Sequence, residues 1–490
     1  MTAREQGTFR ARGVRNVPEQ RIRSVDAAAA AEDPTGATRG KAARTTAPRS
    51  SQGEWTAPSR RADPVALLVE QSRGLLPDLL PIRHGRMMAS PFAFFRGSAA
   101  VMARDLAGTV DSGLRVQLCG DAHVSNFGGH VSPDGQLVFD VHDFDQTLAG
   151  PWEWDLKRLV TSIAVAGRDR GLTRKQRGRM VRQTAEAYRV AMRQLAQQGS
   201  LDVWYSRLTA ADVRARWGDQ AGRSAVRAFE RQLDKAMRKG PGRGTRPLTR
   251  LVNGTPRLVS DPPRVVPLDE LLPDDERRLV EEGVQSALAS YRDSLPSSRR
   301  HLLEQFRYSS ATRRVAGVGS VGTRSWVVLM VGVDRGDPLF LQVKEASESV
   351  LAPYCGGNRY ANQGQRVVEG QQLMQSTPDV FLGWHRGPAL DPADRDFYVR
   401  QPWDRKISAD LDHQAPATLG LHGRICAWTL ARAHACSGDR LAIARYLGSR
   451  DVFDAAMADF AEAYADQNAL DHGRFVHAVS SARLEALPGV

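Results

Sequence analysis

Residues 313–344 read RRVAGVGSVGTRSWVVLMVGVDRGDPLFLQVK, and this stretch restricts the fold more than any other. The runs VVLMV and LFLQV have the apolar, β-branched character of strands, and short polar turns separate them. Gly317, Gly319 and Gly322 stand just ahead of VVLMV. A G-x-G-x-x-G that opened a helix would signal a dinucleotide-binding unit; here a strand follows, which favours a flap between two strands. Glycines let such a flap close over phosphates with no Cβ in the way. The strand after the next turn ends in Lys344.

Around this block the periodicity is mostly helical. Helices are predicted at 90–108, where Ser90 and Pro91 form a start signal, and at 152–169, 174–197 and 221–238. Others are predicted at 273–294, 363–376, 416–437 and 451–470, with strands at 114–118, 136–141 and 396–401. Residues 239–267 are rich in Gly and Pro and read as loop or hairpin. A helical block, a β-rich block and further helices predict an α+β fold. At 490 residues the chain exceeds what one core serves, so at least two lobes are expected. The boundaries expected are a disordered basic tail at 1–62, a helical lobe at 63–238 and a linker hairpin and helix at 239–312. A β-rich lobe follows at 313–403, then C-terminal helices at 404–490 that pack on the helical lobe.

The net charge is +13, but residues 1–62 hold 12 Lys/Arg against 6 Asp/Glu, so +6 of it sits in that stretch. The remaining +7 is spread over more than 400 residues, which suits a protein that handles polyphosphates and argues against nucleic acid. No apolar run is long enough to span a bilayer, and the N-terminus does not read as a secretory signal. Cys119, Cys355, Cys426 and Cys436 are far apart and form no CxxC pair. They are expected as reduced, mostly buried thiols of a cytoplasmic protein.

The densest polar constellation is Gly120-Asp121-Ala122-His123-Val124-Ser125-Asn126, followed by Asp140-Val141-His142-Asp143-Phe144-Asp145. Phosphoryl transfer needs these residue types: a carboxylate for the proton of the attacking hydroxyl, and hard oxygen donors for Mg²⁺. A strand–loop–strand hairpin would bring them together.

The GDxHxxN loop and the DFD motif resemble those of the aminoglycoside phosphotransferase and choline kinase branch of the protein-kinase-like superfamily. The resemblance implies Asp121 as catalytic base, Asn126 and Asp143 as Mg²⁺ ligands with Asp145 in support, and His123 as a loop-positioning group. In GPWEWDLKRL, Asp155 would hydrogen-bond the catalytic loop. Cys119 departs from the histidine common before the GD pair. The same resemblance makes Gly317, Gly319 and Gly322 the phosphate-covering loop, Lys344 the phosphate-binding lysine, and Glu369 its ion-pair partner, with Glu345 and Glu348 as alternatives. The strand around Tyr398 to Trp403 would form the adenine-binding hinge. The lysine strand follows the acidic loop here, so the expected architecture is a bilobal kinase-like fold in circularly permuted order. Over roughly residues 60–480 the chain also resembles the bacterial domain-of-unknown-function 2252 family.

The implied activity is ATP- and Mg²⁺-dependent transfer to a hydroxyl of a small molecule or protein. Adenylyl transfer at the same site and a non-catalytic nucleotide-binding module are the alternatives. A hydrolase built on His123 and His142 lacks tight metal-ligand spacing. Arg83, Arg86 and Arg96 read either as phosphate or acceptor ligands or as helix-surface charges. His434 and Asp439 read as a helix end capped by Gly438.

Overall fold

The computed structural model describes residues 36–132, 134–222, 226–231, 249–252, 255–263, 265–271, 273–315, 317–333, 337–388, 393–402, 407–408 and 416–489. The fold is mixed α+β, with several small sheets among the helices.

The helical part is organised around the Trp152–Asp169 helix, which is buried from Trp152 through Gly167. A helix hidden on every face must be enclosed by others. The helices Arg174–Leu195, Pro416–Ser437 and Val452–Ser480 enclose it. One apolar cluster runs through all four, with Trp152 stacked on Tyr188 at 5.5 Å between ring centroids. Local chemistry sets the ends: Thr173 and Gln176 form a capping box at the start of Arg174–Leu195.

Two expectations for the N-terminal third are corrected. Residues 36–62, expected as part of a disordered tail, are folded onto the rest of the chain. The Gly36–Thr46 helix packs on the Arg440–Leu447 helix. Gln52 is buried against the hydroxyl of Tyr446, and Arg61 pairs with both Asp105 and Asp471. Composition misleads because this segment docks polar side chains into a surface built some 400 residues later; residues 1–35 lie outside the described residues. The helix expected over 90–108 breaks at Ser98 (φ −115°, ψ 36°) into Pro91–Gly97 and Ala99–Leu106, with Ser90 capping the first through Ala93 N. The helix expected over 221–238 is helical at 226–231, and an additional helix, Ala210–Ala221, precedes it; residues 232–248 lie outside the described residues.

The first strands are β1 (Arg115–Leu118), β2 (Phe127–Val131), β3 (Leu137–Val141), β4 (Leu148–Pro151) and β5 (Leu208–Thr209). β6 (Thr249–Val252) and β7 (Thr255–Leu258) form a hairpin. β8 (Val265–Pro267), β9 (Phe306–Arg314), β10 (Ser325–Gly332), β11 (Pro338–Glu345), β12 (Gly383–Pro388) and β13 (Asp394–Arg400) make a six-stranded sheet in the order β12-β13-β11-β10-β9-β8. β14 (Ile407–Ser408) joins β2, β3 and β5, and β1 pairs with β4.

Alternation along β10 and β11 sorts side chains onto two faces. Val328, Met330, Leu339 and Leu341 pack on Tyr291, Leu295 and Leu303, so the Asp274–Ser294 helix belongs to the core of this sheet rather than to a separate linker. Val327, Leu329 and Phe340 lie on the opposite face. By parity Lys344 shares the face of Phe340, and that places it towards the acidic loop.

Candidate functional site

The Trp152–Asp169 helix fixes the acidic loop. Asp155 accepts hydrogen bonds from Cys119 N at 2.8 Å and Gly120 N at 3.0 Å. Gly120 has φ +82°, and a Cβ there would lie 2.3 Å from Gln146 O, so the turn requires glycine. Behind Asp155, His434 Nε2 sits 3.3 Å from Oδ2, and Tyr188 Oη sits 2.8 Å from His434 Nδ1. All three side chains are buried.

Arg158 lies on the same helix face as Asp155, three residues on. Its Nε pairs with Asp121, its guanidinium sits 4.3 Å from the Phe95 ring centroid, and Nη2 donates to Phe95 O at 2.8 Å. Burial pushes the Asp121 carboxyl up to about 6; Arg158 pulls it down, and the charge of Asp143 pushes it up. His123 is buried, with Nε2 3.8 Å from Asp121 Oδ2. Asn126 Nδ2 donates to Asp121 O at 2.8 Å, which leaves Oδ1 as the acceptor.

From the next strand end, Asp143 Oδ1 accepts from Asp145 N at 3.1 Å. Asp145 Oδ1 accepts from Tyr398 Oη at 2.7 Å, and Oδ2 pairs with the Lys344 ammonium. Lys344 also donates to Ser320 Oγ at 2.8 Å, inside the glycine-rich turn. Burial opposes the Lys344 charge, yet Asp145, backed by Tyr398 and Asp143, holds its pKa above the usual lysine value. The structure therefore brings the acidic loop, the lysine strand and the glycine-rich turn together, with Asp143 acting electrostatically on both Asp121 and Lys344.

The turn is tied down from below. Arg83 is 3% exposed and donates to Gly319 O, Val321 O and Gly97 O, so it is a strut rather than a surface charge. Gly322 has φ +98°, and a Cβ there would meet Leu75 at 3.0 Å. Gly317 and Gly319 are exposed, and the charge of Arg96 reaches Asp121. Gly438 N bonds His434 O at the end of Pro416–Ser437, while Asp439 caps the next helix through Ala442 N.

Two expected roles do not survive the geometry. Lys344 pairs with Asp145, not with Glu369, Glu345 or Glu348. Glu369 is half-buried on the Gln363–Met374 helix, and Glu345 pairs with Arg324 and Arg395. The face of that helix towards the loop presents Arg366, which donates to Thr147 O, Asp145 O and Ser347 O. Tyr398 does not sit at an open hinge. β13 is flanked by β11 and β12, with Tyr398 opposite both Lys344 and Trp384, so its backbone lies within the ladder. Trp403 lies outside the described residues.

Among the described residues no group of three or more His, Cys, Asp or Glu is arranged to hold a metal ion. Of Asn126, Asp143 and Asp145, the last is engaged by Lys344 and Tyr398. Arg158, Ser320 and Arg366 were not singled out in the sequence, and His434, read there as part of a helix end, proves to be a partner of Asp155. Arg158 was signalled by its spacing from Asp155, and His434 by being a polar residue within an apolar run.

A buried lysine–aspartate pair beneath a glycine-rich turn, in an α+β chain, defines the class of the site. The chain belongs to the family described as "Uncharacterized protein conserved in bacteria (DUF2252)", which it matches over residues 73–478, a span that includes every site residue named above. No curated protein and no solved structure matches the chain. No described helix is long and apolar enough to cross a membrane.

Proposed function

We propose that the chain is an ATP- and Mg²⁺-dependent phosphotransferase of protein-kinase-like type, with its two lobes in circularly permuted order. The observation that carries this reading is the contact of the Lys344 ammonium with both Asp145 and Ser320. It joins a cation to the glycine-rich turn on one side and to the acidic loop on the other.

In this reading the turn at Gly317, Gly319 and Gly322 covers the nucleotide phosphates, and Lys344 neutralises part of their charge. Asn126 Oδ1 and the Asp143 carboxylate are the hard oxygen donors that would hold Mg²⁺. Bound Mg²⁺ supplies charge neutralisation at the phosphates. Asp121, ionised at neutral pH, takes the proton of an attacking hydroxyl, and Arg158 aims it. The acceptor is a hydroxyl of a small molecule or protein. Reliance on ATP and the four free cysteines favour a cytoplasmic setting.

The test is ATP turnover with label at the γ- or the α-phosphate, in wild type and Asp121→Asn. Transfer of γ-label that collapses in the variant supports the reading. Transfer of α-label would convert it to adenylyl transfer, and no turnover of either would remove it.

A further inference from the structure

Away from the acidic loop, a cavity of about 470 Å³ opens where the N-terminal helix meets the end of the Arg440–Leu447 helix. Six cationic side chains line it: Lys41, Arg44, Arg49, Arg193, Arg445 and Arg450. No carboxylate lines it, and among the described residues none of the six forms an ion pair with one. Six like charges around one concavity repel each other, and no carboxylate on its wall offsets them. Burial and the neighbouring Arg49 and Arg445 hold the Arg44 pKa below its usual value.

The arginines are also held in place. Arg44 Nε donates to Tyr446 O at 2.9 Å, its Nη2 donates to Arg445 O, and Arg49 Nη1 donates to Leu447 O at 2.7 Å. These are the last carbonyls of the helix, whose dipole favours positive charge there. Capping explains Arg44 and Arg49, and Arg193 and Arg445 stand in the last turns of their own helices; neither effect explains the exposed Lys41 and Arg450 that complete the ring. Gly448 leaves room for the guanidinia. It has φ +69°, and a Cβ there would lie 2.7 Å from Arg44 Nη2 and 2.8 Å from Arg49 Nη1. The volume falls within the usual range for small-molecule sites, roughly 300–1,000 Å³.

We propose that this cavity binds a small multivalent phosphate anion, of the oligophosphate or phosphate-ester class, at a site distinct from the Asp121–Lys344 cluster. Arginine forks match phosphate oxygens bidentately, and several together select charge over shape. The site shares no lining residue with the acidic loop or the glycine-rich turn, so it stands independently of the phosphotransfer reading.

Inorganic tripolyphosphate is the probe, titrated calorimetrically into the full chain at low and moderate salt. Wild type should bind it more tightly than monophosphate, with affinity falling as salt rises. Arg193→Glu/Arg450→Glu changes two exposed side chains and should weaken this site by at least about tenfold, while Lys344→Met leaves it in place. Circular dichroism and the thermal midpoint confirm that the double variant and Lys344→Met both fold, and Lys41→Glu provides a second test at the same cavity. Unchanged affinity in these charge-reversed proteins overturns the proposal. So does loss of all binding in Lys344→Met, or tighter binding of a nucleic-acid duplex that vanishes in the same charge-reversed variants.

Discussion

Lys344 and Asp145 lie 199 residues apart in the chain, yet they form an ion pair between β11 and the loop after β3. The lysine side chain is 4% exposed and the aspartate 21%, so each charge depends on the other more than on water.

Removing one member of a buried pair strands the other. Lys344→Met is expected to cost about 3–5 kcal/mol in urea denaturation. Adding Asp145→Asn should recover a good part of that stability. If phosphates use the lysine, neither variant regains activity, and kcat/KM stays down by about 10²–10³-fold, the loss expected for one preorganised donor. Recovery of activity along with stability would reduce Lys344 to a structural role.

The Asp121 carboxyl is raised to about 6 by burial, so the proposed phosphotransfer, with Asp121 as base, should show an acid limb there. A base must be ionised to accept a proton, so kcat/KM should be flat above about pH 7 and fall as pH drops through 6. Asp121→Asn should lower turnover by about 10²–10⁴-fold and abolish that limb. A pH–rate profile measures both; an unchanged acid limb in the variant would assign it to another group.

Much of this arrangement was legible in the sequence, for identifiable reasons. Asp121, Asn126 and Asp143 sit on one strand–loop–strand unit, where spacing alone brings them close. The strand character of VVLMV and LFLQV was carried by β-branched runs, and parity then fixed the face of Lys344. The partner of Lys344 was not legible, because it depends on which turn of the Gln363–Met374 helix faces the loop. Arg366 rather than Glu369 occupies that turn, a matter of tertiary packing. Nor was the position of Tyr398 inside the sheet, since β12, whose residues carry no β-branched run, pairs along the other edge of its strand. Residues 36–62 were misjudged because their order comes from partners near the C-terminus.

His434 acts through Asp155 and has no contact with Asp121. His434→Ala leaves the buried Asp155 oxygen and the Tyr188 hydroxyl without this partner, a loss of about 1–3 kcal/mol in chemical denaturation. The Cys119–Gly120 turn should loosen, lowering kcat more than it raises KM. His434→Gln, which keeps a polar group there, should restore part of kcat. Equal effects of both variants on KM alone would contradict a positioning role.

Arg61 tests whether the N-terminal segment belongs to the fold. Its side chain is 8% exposed between Asp105 and Asp471. Arg61→Ala should cost about 3–5 kcal/mol in urea denaturation, because two buried carboxylates lose their cation. Asp78→Ala, which removes a largely exposed partner of Arg313, should cost no more than about 1 kcal/mol. Similar small losses for both would mean that the segment is peripheral.

In the proposed reading one site, built from Asp121, Asn126, Asp143 and Lys344, takes a magnesium-bound nucleotide. Calorimetric titration of ATP with and without Mg²⁺, on wild type and on Asp143→Asn, tests it most directly. Saturable binding that Mg²⁺ strengthens in wild type, and that loses this metal dependence in Asp143→Asn, is the predicted result. Absence of ATP binding by the wild type, or full magnesium dependence in the variant, would contradict it.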